Sequence, residues 1–99
     1  MAKILVLAKS GFGKTTSYCG REKLGIKGLN PDETYIIQCI GRGVPNPNFK
    51  LTKSVEIKDL PTGNRIQVDS ITGMDRFKKV ADIVNALKAS PYKNIVIDD

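Results

Sequence analysis

Histidine is absent from the 99 residues, and cysteine occurs only twice, as Cys19 and Cys39. The two cysteines lack C-x-x-C spacing, so a zinc site, a cysteine–histidine catalytic pair and a serine triad are all disfavoured. Both side chains are expected to be buried thiols. Long apolar runs are missing too. The N-terminal run Ile4 to Ala8 covers five residues, far short of a signal-peptide core or of the ~20 residues that cross a bilayer. The expectation is a cytoplasmic protein with no membrane partner. No low-complexity tract and no internal repeat occurs, which disfavours a solenoid or a wholly disordered chain.

What is present suits one small α/β domain over residues 1–99. Apolar residues make up 40% and charged residues 26% of the chain, and a chain of this length buries somewhat over ~60% of its unfolded surface. That is enough for a single core. Sixteen Lys and Arg against ten Asp and Glu leave a net charge of +6, with a pI near 9.5. Such a balance suits a polyanion, either a nucleotide phosphate tail or a nucleic-acid backbone. The basic residues are spread along the chain, which is equally compatible with an ordinary solvated surface.

The stretch that organises the chain is Ala8 to Thr16, AKSGFGKTT, directly after the apolar run Ile4 to Leu7. It reads as the phosphate-binding loop G-x-x-x-x-G-K-[ST] with Ala8 in place of the first glycine. Gly11 and Gly13, lacking a Cβ, let the backbone wrap an anion and point several N–H groups inward, with Ser10 and Phe12 on the same loop. Lys14 brings a point charge to the β and γ phosphates. Thr15 offers its hydroxyl to a Mg2+ ion that keeps most of its waters. A helix opening near Gly13 would add its positive end. The missing glycine matters only if residue 8 needs positive φ.

Along the chain, Lys3 to Leu7 predicts a strand of the doubly covered parallel type, and Lys14 to about Leu24 a helix weakened by Gly20 and stopped at Gly25. Gly25 to Glu33 carries turn chemistry in Asn30-Pro31-Asp32. Thr34 to Ile40 predicts the second strand. Arg42 to Asn48, with two prolines and a glycine, is a loop. Ser54 to Lys58 and Arg65 to Asp69 alternate with period two around Leu60 to Asn64, which predicts an exposed hairpin inserted between the core units. Thr72 to Ala89 is the clearest helix. Thr72 and Asp75 resemble a capping box, Phe77, Val80, Ala81, Val84 and Leu87 form the packing stripe, and Pro91 blocks continuation.

Asn94 to Asp99 places three apolar β-branched residues before two acids. That is a buried strand whose carboxylate emerges at the C-terminal end, where open α/β sheets bind ligands. Asp98 would hold Mg2+ directly or through water. Asp99 would polarise an attacking water, and with Lys14 it forms the expected catalytic set.

The segments KILVLAKSGFGKTTS, TYIIQCI and KNIVIDD, with the proline-bearing loop between them, resemble the N-terminal half of the bacteriophage P-loop ATPases grouped with RecA-like single-strand annealing and recombination ATPases. The resemblance implies a P-loop NTPase-like three-layer sandwich with a mainly parallel sheet, truncated after its second acidic motif. It implies ATP and Mg2+ as ligands, the host cytoplasm as location, and single-stranded DNA as a partner. Gly11, Gly13, Lys14 and Thr15 match the nucleotide motif, Thr16 the α-phosphate side, and Asp98 the metal-linked aspartate. In RecA-like topology a later strand separates the loop-bearing strand from the Asp98 strand, so this chain would show an empty slot or an altered order. An open apolar edge would favour a homo-oligomer. No arginine finger stands out, and Arg21, Arg42, Arg65 and Arg76 are candidates by elimination. The expected activity is ATP binding with slow hydrolysis. The alternatives are a basic single-stranded nucleic-acid-binding module, with Phe49 and Tyr92 stacking bases, and a small P-loop kinase.

Overall fold

Apolar and β-branched residues make three five-residue strands: β1 (Ile4–Ala8), β4 (Thr34–Gln38) and β6 (Asn94–Asp98). A computed structural model describes residues 4–8, 20–21, 26–27, 30–39 and 47–98. The short β5 (Arg65–Gln67) completes a four-stranded sheet in the order β1-β6-β4-β5. Every pairing in it is parallel. The fold is mixed α/β.

The strand order decides the slot question. β1 and β6 pair directly, from Ile4 opposite Asn94 to Ala8 opposite Asp98, and no strand lies between them. β4 then pairs with the other side of β6, from Thr34 opposite Asn94 to Gln38 opposite Asp98. All five residues of β4 are buried, as befits a central strand covered on both faces. Ile40, at the end of the expected second strand, lies outside the described residues.

The helix α1 (Gly73–Leu87) lies on one face of the sheet. Tyr35, Ile37 and Cys39 of the β4 segment, Ile66 of β5 and Val68 just after it, and Ile95 of β6 point at it, meeting Ile83 and Leu87. Val80, Val84 and Ala86 pack against the same cluster. The buried stripe is therefore Val80, Ile83, Val84 and Leu87 at i, i+3, i+4, i+7. Phe77 belongs to the expected stripe but is 71% exposed, and Ala81 is exposed with it. The first turns of α1 project past the sheet, and only the later ones reach the core.

Three further expectations are corrected. The hairpin is not formed: residues 57–62 make a 3-10 helix (Ile57–Thr62), and β5 pairs parallel with β4. The period-two alternation is real, with Ile66 and Val68 buried, but it reports an outer strand of the main sheet. The chain reaches β5 through Gly63, where an added Cβ would lie 2.4 Å from the Lys50 carbonyl oxygen and 2.7 Å from the Thr52 nitrogen. Close backbone approach requires glycine there.

The expected helix after the loop does not extend to Leu24. β2 (Gly20–Arg21) pairs antiparallel with β3 (Ile26–Lys27), consistent with the ~1 kcal/mol that an interior glycine costs a helix. Thr72 does occupy the N-cap of α1, but its side chain makes no capping bond. Gly73 follows at φ +61, a left-handed backbone that favours glycine. Arg76 secures this corner, donating from Nε to the Ile71 carbonyl at 2.6 Å and from Nη2 to the Asp69 carbonyl at 3.3 Å.

Candidate functional site

Parallel strands in register bring their carboxyl ends to one edge. Across the four strands runs a row of paired positions: Ala8 opposite Asp98, Asp98 opposite Gln38, Gln38 opposite Gln67. The segment expected from sequence to form a phosphate loop begins at Ala8, and Ala8 and Asp98 sit on adjacent strands, about 4.8 Å apart by sheet spacing. No described non-glycine residue has positive φ. The backbone at residue 8 therefore does not itself require glycine.

Asp98 is half-buried and anchored through its backbone, since the Cys39 N–H donates to the Asp98 carbonyl at 2.8 Å. Alternation turns Asp98 and Gln38 to the face away from α1, because Ile95 and Ile37, of opposite parity, join the α1 cluster. Gln38 is fully buried there. Its Oε1 accepts from Arg65 Nη1 at 3.0 Å and from Gln67 Nε2 at 3.4 Å, while Arg65 Nε donates to the Phe49 carbonyl at 3.3 Å.

Sequence reasoning missed Gln38, and it placed Arg65 in an exposed hairpin and among the arginine-finger candidates, whereas Arg65 is bonded to Gln38 and the Phe49 carbonyl. Gln38 sits in the run TYIIQCI as its one amide, and that lone polar residue in an apolar strand was the available signal. Of the site residues expected from sequence, Asp98 lies at this edge. Ser10, Gly11, Phe12, Gly13, Lys14, Thr15, Thr16 and Asp99 lie outside the described residues. The same holds for Arg42 and Cys19. Arg76 is committed to the α1 corner.

The chain matches no protein-family model, no curated protein and no solved structure. Among the described residues no group of three or more His, Cys, Asp or Glu could hold a metal ion. A single aspartate fits Mg2+, which takes one or two carboxylates and completes its octahedron with waters and phosphate oxygens. Asp98 would hold it, and the ion would neutralise charge on the phosphates.

The aromatic residues do not favour base stacking. Phe49 is 1% exposed. The Tyr92 ring packs edge-on against Tyr35 with centroids 5.3 Å apart and planes at 74°. The Tyr35 hydroxyl is itself bonded to Thr52 Oγ1 and donates to the Leu60 carbonyl at 3.2 Å. Burial pushes this phenol from 10.0 up to about 12, against the lowering effect of the Thr52 bond. These rings are core. Two basic residues, Lys58 and Lys93, pair with Glu56 and Glu33 at 3.2 and 3.3 Å on the surface.

Depressions also lie at the opposite, amino-terminal edge of the sheet. An apolar pocket of about 240 Å³ is bordered by Ile57, Leu60, Ala86, Leu87 and Tyr92. A polar one of about 610 Å³ lies beside Asn30, Asp32, Lys50 and Asn64. Neither contains Asp98. Among the described residues no helix is long and apolar enough to cross a membrane.

Proposed function

We propose that this chain binds ATP with Mg2+ at the carboxyl edge of its parallel sheet and hydrolyses it slowly. The observation that carries the reading is the register of Ala8 with Asp98 on neighbouring parallel strands. A loop of the sequence AKSGFGKTT leaving Ala8, and a carboxylate one strand away, are the two halves of a Mg-nucleotide site. Helix ends, glycine amides, an ammonium group and a metal-binding acid all favour the same polyphosphate.

In this reading the amides of Ser10, Gly11, Phe12 and Gly13 cradle the phosphates, and Lys14 neutralises the β and γ oxygens. Thr16 contacts the α-phosphate side. Thr15 and Asp98 hold Mg2+, and Asp99 orients the attacking water. Weak turnover is expected because, among the described residues, Arg65 is bonded to Gln38 and the Phe49 carbonyl and Arg76 to the α1 corner. The resemblance to phage P-loop ATPases supports a DNA-processing setting, with single-stranded DNA as partner and self-association as the working state.

The test is binding of a fluorescent Mg-ATP analogue to wild type and Lys14→Ala. Loss of a charged phosphate contact should weaken affinity by about tenfold or more. Equal affinity in the two proteins would overturn the reading.

A further inference from the structure

Gln38 carries a buried hydrogen-bond donor that none of the described residues uses. Its Nε2 is fully buried and without a partner, although buried amide donors are nearly always paired. The orientation of the amide is set by its neighbours. Arg65 Nη1 and Gln67 Nε2 both donate to Oε1, and reversing the amide would set donor against donor. Both of those donors come from β5, on one flank of β4. On the other flank Gln38 is in register with Asp98, and Asp98 with Ala8, on the sheet face turned away from α1.

With both Oε1 donors on the β5 flank, the carboxyl edge on the Asp98 side is the flank from which an acceptor for this donor can come. An oxygen of a bound anion fits, and the terminal phosphoryl group of a triphosphate is the part of the ligand nearest the metal-holding acid. We propose that Gln38 is a specificity residue for the triphosphate form: its Nε2 donates to an oxygen of the terminal phosphoryl group, with Arg65 positioning the amide. This rests on the nucleotide reading above. It adds to that reading a way to tell ATP from ADP, because the diphosphate lacks the acceptor and leaves the buried donor unsatisfied.

The experiment compares Mg-ATP and Mg-ADP affinity by calorimetry for wild type, Gln38→Met and Gln38→Glu. Methionine removes the amide at similar volume. Glutamate keeps an acceptor facing Arg65 and Gln67 while removing the donor, so it guards against a variant that fails to fold. Both variants should lose about tenfold or more in Mg-ATP affinity, with Mg-ADP affinity nearly unchanged. In wild type the side-chain amide resonance of Gln38 should shift with Mg-ATP and stay in place with Mg-ADP, a readout that needs no variant.

Equal losses for the two nucleotides, or an unmoved ratio and an amide signal that responds alike to both, would overturn the role of Gln38 alone. Wild-type protein that binds neither nucleotide would overturn the nucleotide reading, and this inference with it.

Discussion

A single buried hydroxyl shows how the molecule spends its few polar groups. Tyr35 lies in the core of β4, yet its phenol is satisfied by Thr52 and the Leu60 carbonyl. That network ties the 3-10 helix and the extended segment at Thr52 to the sheet. Because burial raises the phenol to about 12 from 10.0, folded protein keeps the proton over a range where unfolded chain has lost it. The unfolded state then binds fewer protons, so stability falls as pH climbs from about 10 toward about 12, and is fully present below that window. Tyr92, raised chiefly by burial and then by the charge of Asp32, acts in the same direction. Urea unfolding between pH 8 and pH 11 should show this alkaline loss, and Tyr35→Phe should flatten it. A profile that is the same in the two proteins would contradict the assignment. Gln38 is the counterexample at this scale: same strand, fully buried, and one donor left over.

The elements differ in how much of their packing could be read from residue order. β1, β4 and β6 were legible as strands because continuous apolar, β-branched runs suit a parallel sheet. Only β4 is buried throughout, however, and in the edge strand β1 Leu5 is 53% exposed, against the expected cover on both faces. The existence of α1 was legible from its periodicity, its stripe only in part. Phe77 and Val80 both fit helical spacing, but which of them meets the core depends on where the helix crosses the sheet. This yields a sharp contrast. Leu87→Ala and Ile83→Ala should each cost about 2–5 kcal/mol, since both are buried against the sheet. Phe77→Ser, at an exposed position of the same helix, should stay within about 0.5 kcal/mol. Denaturant midpoints at constant slope measure all three, and a large loss in Phe77→Ser would show that its ring is covered in solution. β5 was misread for a related reason. Alternation says that one face is wet, but not whether the partner strand is the sequence neighbour or, as found, a strand 29 positions earlier at Gln38 opposite Gln67.

For the whole molecule, the sheet gathers at one edge what the chain keeps far apart. Ala8 and Asp98 stand at opposite ends of the sequence and side by side in the structure. Bound Mg-ATP at one hundred times Kd should add about 2.7 kcal/mol to folding stability. A domain of this length would show that as a rise of roughly 10–20 °C in Tm, followed by differential scanning fluorimetry against Mg-ADP and no ligand. An unchanged Tm at saturating Mg-ATP would count against the site. Residue order alone determined where the three main strands and α1 lie, the absence of histidine chemistry, and the phosphate-loop pattern beside an apolar run, because these depend on local composition and period. Only the tertiary structure decided that β6 lies directly against β1, that β5 joins the main sheet, and that Gln38, Arg65 and Asp98 share one edge. Strand order and register are set by which buried faces fit together across the whole chain, and no local window of sequence contains that information.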